Sequence, residues 1–213
     1  MPSKQKQPNT NALDMQRKAV VTAALPHVLF DGWSNETLTR AANDCDIAPA
    51  LLTLLFAKGG VDAVAFHSRQ ADAEVSATLS ADKGFSKLPV PIKIRSAILK
   101  RLELAAPQKD AVRKGLSLLS LPTNASLALK LLNETCDSMW NLAGDEATDF
   151  NWYTKRFTLA GVYSATLFYW LNDDSGELDN TAAFLDRRLN GVRAFGKWKA
   201  ECQQWLGKLN GSA

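Results

Sequence analysis

From Leu13 onward, apolar residues recur three and four positions apart, with no sustained alternation of apolar and polar positions. That periodicity predicts helices and no strands. A first helix is expected over 13–30. Ser34 is placed to cap a second over 35–43, because its hydroxyl can accept from an unpaired backbone N–H of the first turn. "DCDI" then makes a turn into a third helix over 48–57, closed by Gly59 and Gly60. Further helices are predicted over 61–81, from Pro89 and Pro91 to 104, over 110–121, over 126–142 after the break at Pro122, and over 152–171. Asp179 or Asn180 opens a last, interrupted region that reaches 209. The expectation is an all-α bundle of about nine helices with an N-terminal helix-turn-helix-like unit.

Hydrophobic residues make up 46% of the 213 positions and charged ones 22%, the balance of a globular chain. The net charge of +3 is too small to imply a nucleic-acid partner without a clustered basic face. The third helix argues against such a partner. "IAPALLTLLFA" carries no charge, and over 34–57 three acids stand against one arginine, a net of −2. A helix without donors cannot read base edges, and acids repel phosphates. No nucleic acid is therefore expected.

Catalytic and metal chemistry is also missing from the pattern. Cys45, Cys136 and Cys202 are far apart and odd in number, as for reduced thiols. Neither His27 nor His67 has a Glu three residues before it, so the Glu-x-x-His pattern of di-iron bundles is absent. "GVRAFGKW" imitates a phosphate loop, but Trp198 stands where the metal-binding hydroxyl belongs and no strand precedes it. The expectation is no enzyme, no metal and no cofactor. No run reaches the ~18 apolar residues of a membrane span. "FTLAGVYSATLFYWL" comes nearest and fits a buried helix.

The C-terminal region is amphipathic. Phe195, Trp198, Cys202, Trp205 and Leu209 fall on one helical face, joined by Leu206. From Arg187 to Lys208 six cations, including Lys197 and Lys199, stand against Glu201, a net of +5. Aromatics on one face and cations around the other describe a helix lying in a membrane interface. The expected membrane contacts are Phe195, Trp198, Trp205, Leu209, Lys197 and Lys199.

"MWNLAGD" (139–145), "TDFNWYTKR" (148–156) and "FLDRRLN" (184–190) resemble the lipid-binding accessory family of ubiquinone biosynthesis, the ninth of the Coq series. "LFAKGGVDAVAFH" (55–67) is a weaker match, and the similarity covers about 13–190. The resemblance implies a TetR-like fold, a homodimer, and a lost DNA-reading role. It also implies a cavity for an isoprenoid lipid or ubiquinone precursor, presented to the di-iron hydroxylase of the pathway. It places the hydroxylase-binding surface around Trp152 and Tyr153, with Met139 and Trp140 nearby. Asp149 either joins that contact or caps the helix. Leu132, Phe157, Val162 and Phe168 are expected on inward faces as cavity lining. The expected organisation is a disordered tail (1–12), the helix-turn-helix-like unit (13–57), a lipid-binding body (58–190) and a membrane-associating helix (191–213). The first twelve residues contain no arginine and no apolar core of a signal peptide, so a bacterial cytoplasmic protein, peripheral to the inner membrane, is expected. Rival readings are a TetR-type ligand-responsive regulator and a general fatty-acid or lipid carrier.

Overall fold

A computed structural model describes residues 10–144 and 150–192. The helices are α1 (Thr10–Asp31), α2 (Asn35–Asp44), α3 (Pro49–Leu55), α4 (Gly60–Ala81), α5 (Val90–Ala105), α6 (Lys109–Leu119), α7 (Ala125–Ala143) and α8 (Phe150–Leu171). A further helical stretch covers 179–192, here α9. Among the described residues there is no strand. Two boundaries moved for visible reasons. Residues 10–12, expected in the tail, belong to α1, and α6 stops at Leu119 because Pro122 already starts a short 3-10 turn, Pro122–Asn124.

The chain forms two compact units, drawn from non-contiguous stretches: Met1–Thr78 with Leu104–Thr135, and Leu79–Glu103 with Cys136–Ala213. This replaces the linear division at residue 57 expected above. The helix-turn-helix-like segment does not close a core alone, because α6 and the first part of α7 supply Ala111, Leu119 and Leu131 to its cluster.

In the first unit, Ser34 caps α2 as predicted, its Oγ accepting from the Thr37 backbone N–H at 3.1 Å. Thr37 Oγ1 in turn donates to the Gly32 carbonyl at 2.9 Å. Asp46 takes a left-handed conformation (φ 55) that ends α2 and turns the chain toward α3. Val20, Val21, Val28 and Leu38 are at most 2% exposed in the core beneath. Gly60 is required where α4 begins, since a Cβ there would stand 1.8 Å from the Trp33 carbonyl oxygen. The Trp33 indole donates to the Ala111 carbonyl at 2.9 Å, so this buried ring has its one polar atom paired.

The second unit is built on Ile98, Leu102, Leu159, Tyr163, Trp170 and Leu185, all buried. Two arginines are buried with them, and both have partners. Arg156 pairs with Asp137, and Arg101 lies over the Tyr163 ring with its guanidinium carbon 5.5 Å from the centroid. Arg95 holds Asp186 by two hydrogen bonds, at 2.6 and 3.0 Å.

Candidate functional site on helix α8

At ~100° per residue, α8 sorts its side chains into two faces. Leu159, Val162, Tyr163, Thr166 and Trp170 are buried. On the other side stand Tyr153 (69% exposed), Phe157 (84%) and Phe168 (57%). Gly161 lies between them, where an added Cβ would meet nothing. Phe157 and Phe168 are eleven residues apart, hence only ~20° apart around the axis.

This arrangement corrects two sequence expectations. Phe157 and Phe168 point outward rather than lining an interior, and only Val162 of the three α8 candidates faces inward. The spacing carried the answer: Val162 lies ~140° from Phe157, so the three could not share an inward face. Leu132, half-buried, belongs to the first unit. Met139 is also corrected. At 3% exposure it is core of the second unit and has no surface to offer a partner.

Trp140 is half-buried on α7, and Lys155 of α8 sits over its ring, 5.5 Å from the centroid. Its Nε1 is fully buried with no hydrogen-bond partner among the described residues. Trp152 lies in the first turn of α8, and nothing beyond its helical backbone is described. Asp149, Phe195, Trp198, Trp205, Leu209, Lys197 and Lys199 lie outside the described residues.

Beside Phe168 the second unit has an open cleft of about 500 Å³ that the sequence reading missed. Tyr169 and Phe184 stack along it with centroids 4.3 Å apart and planes 13° from parallel, and Arg188 lies 4.8 Å from the Phe184 centroid. Phe184 and Arg188 occur in "FLDRRLN", but only the turn between α8 and α9 brings them to Tyr169. Asp173 organises that turn. It accepts from the Ser175 backbone N–H and from Thr181 Oγ1, and hydrogen bonds led by Ser175 hold its carboxyl below the ordinary carboxylate value. The "NDDSGE" acids therefore include one that shapes the chain locally.

The remaining chemistry is sparse. Among the described residues no three His, Cys, Asp or Glu side chains gather as a metal site. His27 Nε2 lies 3.1 Å from Asp44, and His67 Nε2 lies 2.6 Å from Gln108 Oε1. The outward positions of α3 are Pro49, Ala50, Thr53 and Leu54, none of them charged. Among the described residues no single helix is long and apolar enough to cross a membrane.

Residues 125–196, which contain α8 and the Tyr169–Phe184 cleft, match the family model described as COQ9. The chain is 32% identical over 183 residues to the mitochondrial ubiquinone biosynthesis protein COQ9 of Rattus norvegicus, an alignment covering 83% of this chain and 58% of that one. The Homo sapiens protein of the same name is 31% identical over 183 residues, covering 83% and 57%. The Drosophila melanogaster one is 29% identical over 181 residues, covering 84% and 55%. The chain thus spans somewhat over half the length of these relatives. Each is named mitochondrial, which overturns the expectation of a bacterial cytoplasmic protein. Among solved structures, the TetR transcriptional regulator of Nitrosomonas europaea superposes with a TM-score of 0.67 at 21% identity, covering 83% of this chain and 97% of that one. That likeness establishes a TetR-like all-α fold. The family model over residues 125–196 and these relatives thus make most of the chain similar to the COQ9 family.

Proposed function

We propose that this protein acts in ubiquinone biosynthesis as a non-enzymatic, lipid-binding accessory protein. It takes up an isoprenoid quinone precursor at a membrane surface and presents it, as a homodimer, to the pathway's di-iron hydroxylase. The observation that carries this reading is the outward aromatic row of α8, Tyr153, Phe157 and Phe168, inside the segment that matches the family model. Covering a side chain of this size is worth about 1.5–3 kcal/mol. A helix that leaves several outside forgoes that gain unless another molecule covers them. Tyr and Phe are apt for such a contact, giving large area for few frozen torsions. The hydroxylase is assigned to the Trp152–Tyr153 end, and the membrane to the amphipathic face of Phe195, Trp198, Trp205 and Leu209.

The uncharged outward face of α3 supports the absence of a DNA partner. The rival reading as a general acyl-lipid carrier has no observation in its favour and becomes an outcome of the test. Protein purified under native conditions should carry isoprenoid quinones or their hydroxylation precursors when its lipids are extracted and weighed by mass spectrometry. Fatty acids or phospholipids alone would point to the general carrier. An empty protein that shifts DNA in a gel would sink the proposal. For the partner, Tyr153→Ala with Phe157→Asp should weaken capture of the hydroxylase more than tenfold without changing the lipid found.

A further inference from the structure

Five consecutive apolar residues, Leu88, Pro89, Val90, Pro91 and Ile92, stand exposed where α4 hands over to α5. Soluble surfaces scatter their apolar residues singly, and an exposed run of this length is kept only where it meets something. The run is firmly held. Phe85, 4% exposed, anchors the 3-10 turn that precedes it (Phe85–Lys87), and Asp82 accepts from the Gly84 N–H at 2.7 Å.

The backbone of the run suits a medium poor in water, which penalises every N–H without an acceptor. Pro89 and Pro91 have no N–H to leave unpaired. The N–H of Leu88 donates to the Phe85 carbonyl, and those of Ile92 and Lys93 donate to the Pro89 carbonyl. Cations rim the run. Lys83 and Lys87 are exposed without an ion pair among the described residues, and Lys93 lies over the Phe85 ring, 5.9 Å from its centroid. With Asp82 as the one acid, 82–93 carries a net of +2. An apolar tip rimmed by lysines complements an anionic lipid surface, where each lysine near the headgroups strengthens binding about fivefold.

The place of the run in the second unit points the same way. Lys93 Nζ donates to the Ala143 carbonyl at 3.5 Å, so α5 begins where α7 ends. Trp140 meets Lys155 and Asp137 meets Arg156, so α8 runs antiparallel to α7, away from that end. After the turn, α9 comes back along α8 through the Tyr169–Phe184 stack. From the Arg95–Asp186 pair, α5 reaches back to Val90 over ~8 Å and α9 forward to Val192 over ~9 Å. The exposed run and the exit of the chain toward Phe195 and Trp198 thus share one end of the unit.

We propose that the α4–α5 connector, residues 83–92, is a second membrane-contact element that seats on a bilayer carrying anionic lipid. This rests on the membrane part of the reading above and adds a contact outside the amphipathic 195–209 sequence. One shallow contact holds a protein to a bilayer only marginally, whereas two hold it stably.

The full chain is sedimented with vesicles of phosphatidylcholine alone, or with one quarter of phosphatidylserine added. Wild type should bind the mixed vesicles about tenfold more tightly. Lys83→Glu with Lys87→Glu should weaken that binding more than about tenfold. Leu88→Ser with Val90→Ser should weaken binding to both vesicles several-fold, with circular dichroism unchanged. Lys18→Glu with Lys58→Glu, exposed in the first unit, makes the same change of net charge and should leave binding within about twofold. Equal losses in the two charge-reversed proteins would reduce the effect to net charge and overturn the assignment. Wild-type binding by both connector variants would overturn it too, with the membrane reading left standing. A changed gel-filtration mass in those variants, with vesicle binding intact, would make the run a contact between copies instead. If wild type sediments with neither vesicle, the membrane reading falls, and the connector with it.

Discussion

The two compact units differ in how their tryptophans are satisfied and in the aromatics that α8 leaves outside. In the first, Trp33 is buried, its N–H satisfied by the Ala111 carbonyl, and Phe56 is buried with its ring 6.5 Å from that of Phe66. In the second, Tyr153, Phe157 and Phe168 stand outside, and Trp140 holds a buried N–H with no acceptor among the described residues. Both units have a well-buried core, so the contrast is not one of folding quality. Local rules are broken where a chain must meet something else. The first unit has its own exceptions, since Phe30 on α1 is 80% exposed and Gln70 Oε1 is buried without a partner among the described residues. The second breaks them within the segment that matches COQ9.

The contrast can be tested from the largest effect down. Leu38→Ala in the first unit and Ile98→Ala in the second remove side chains that are 2% and 0% exposed. Each should cost about 3 kcal/mol in urea unfolding, since both the transfer energy and a residual cavity count against it. A much smaller cost for either would mean that its unit lacks a close-packed core.

The tryptophans give the sharper test. Trp33→Phe removes the indole bond to the Ala111 carbonyl and should destabilise by about 1 kcal/mol. Trp140→Phe breaks no hydrogen bond among the described residues, keeps a ring beneath Lys155, and should cost less than Trp33→Phe. Equal costs would erase the distinction between the units.

The Arg95–Asp186 pair comes next. Hydrogen bonding by Arg95 holds the Asp186 carboxyl below the ordinary carboxylate value, and Asp186 correspondingly raises Arg95. Because the folded value is the lower one, the stabilisation is complete above the unfolded value and is lost as pH falls through the folded one. Both side chains are a third or more exposed, so solvent screening limits the pair to less than about 1 kcal/mol. Asp186→Asn should therefore lower stability slightly at neutral pH and have no effect in strong acid, as read from urea midpoints across pH.

The smallest expected effect on folding belongs to the most exposed aromatic. Phe157→Ser should leave stability within about 0.5 kcal/mol of wild type and raise solubility. A large loss of stability would show that the ring packs in solution and would remove it from the docking face.

Much of this was legible in advance. Ser34 as a cap, the turn at "DCDI" and the uncharged α3 all follow from local rules, because capping and turn chemistry act over a few residues. By contrast, α3 ends at Leu55, and Gly60 opens α4 instead of closing α3. The inward assignment of Phe157 and Phe168 failed through the assumption that an apolar residue on an apolar helix faces in. Their angular separation from Val162 already contradicted it. The Tyr169–Phe184 stack and the burial of Met139 were not legible, since each depends on which segments meet across a turn or between helices.

By itself, then, the amino-acid order determined the helical class, most helix limits and the family words around α8. These depend on periodicity and short-range hydrogen bonding, which a chain carries wherever it is placed. Tertiary packing alone decided which apolar residues stayed outside and which indole was left without an acceptor. Burial belongs to a side chain's neighbours, and here those neighbours come from stretches as distant in sequence as α5 and α9.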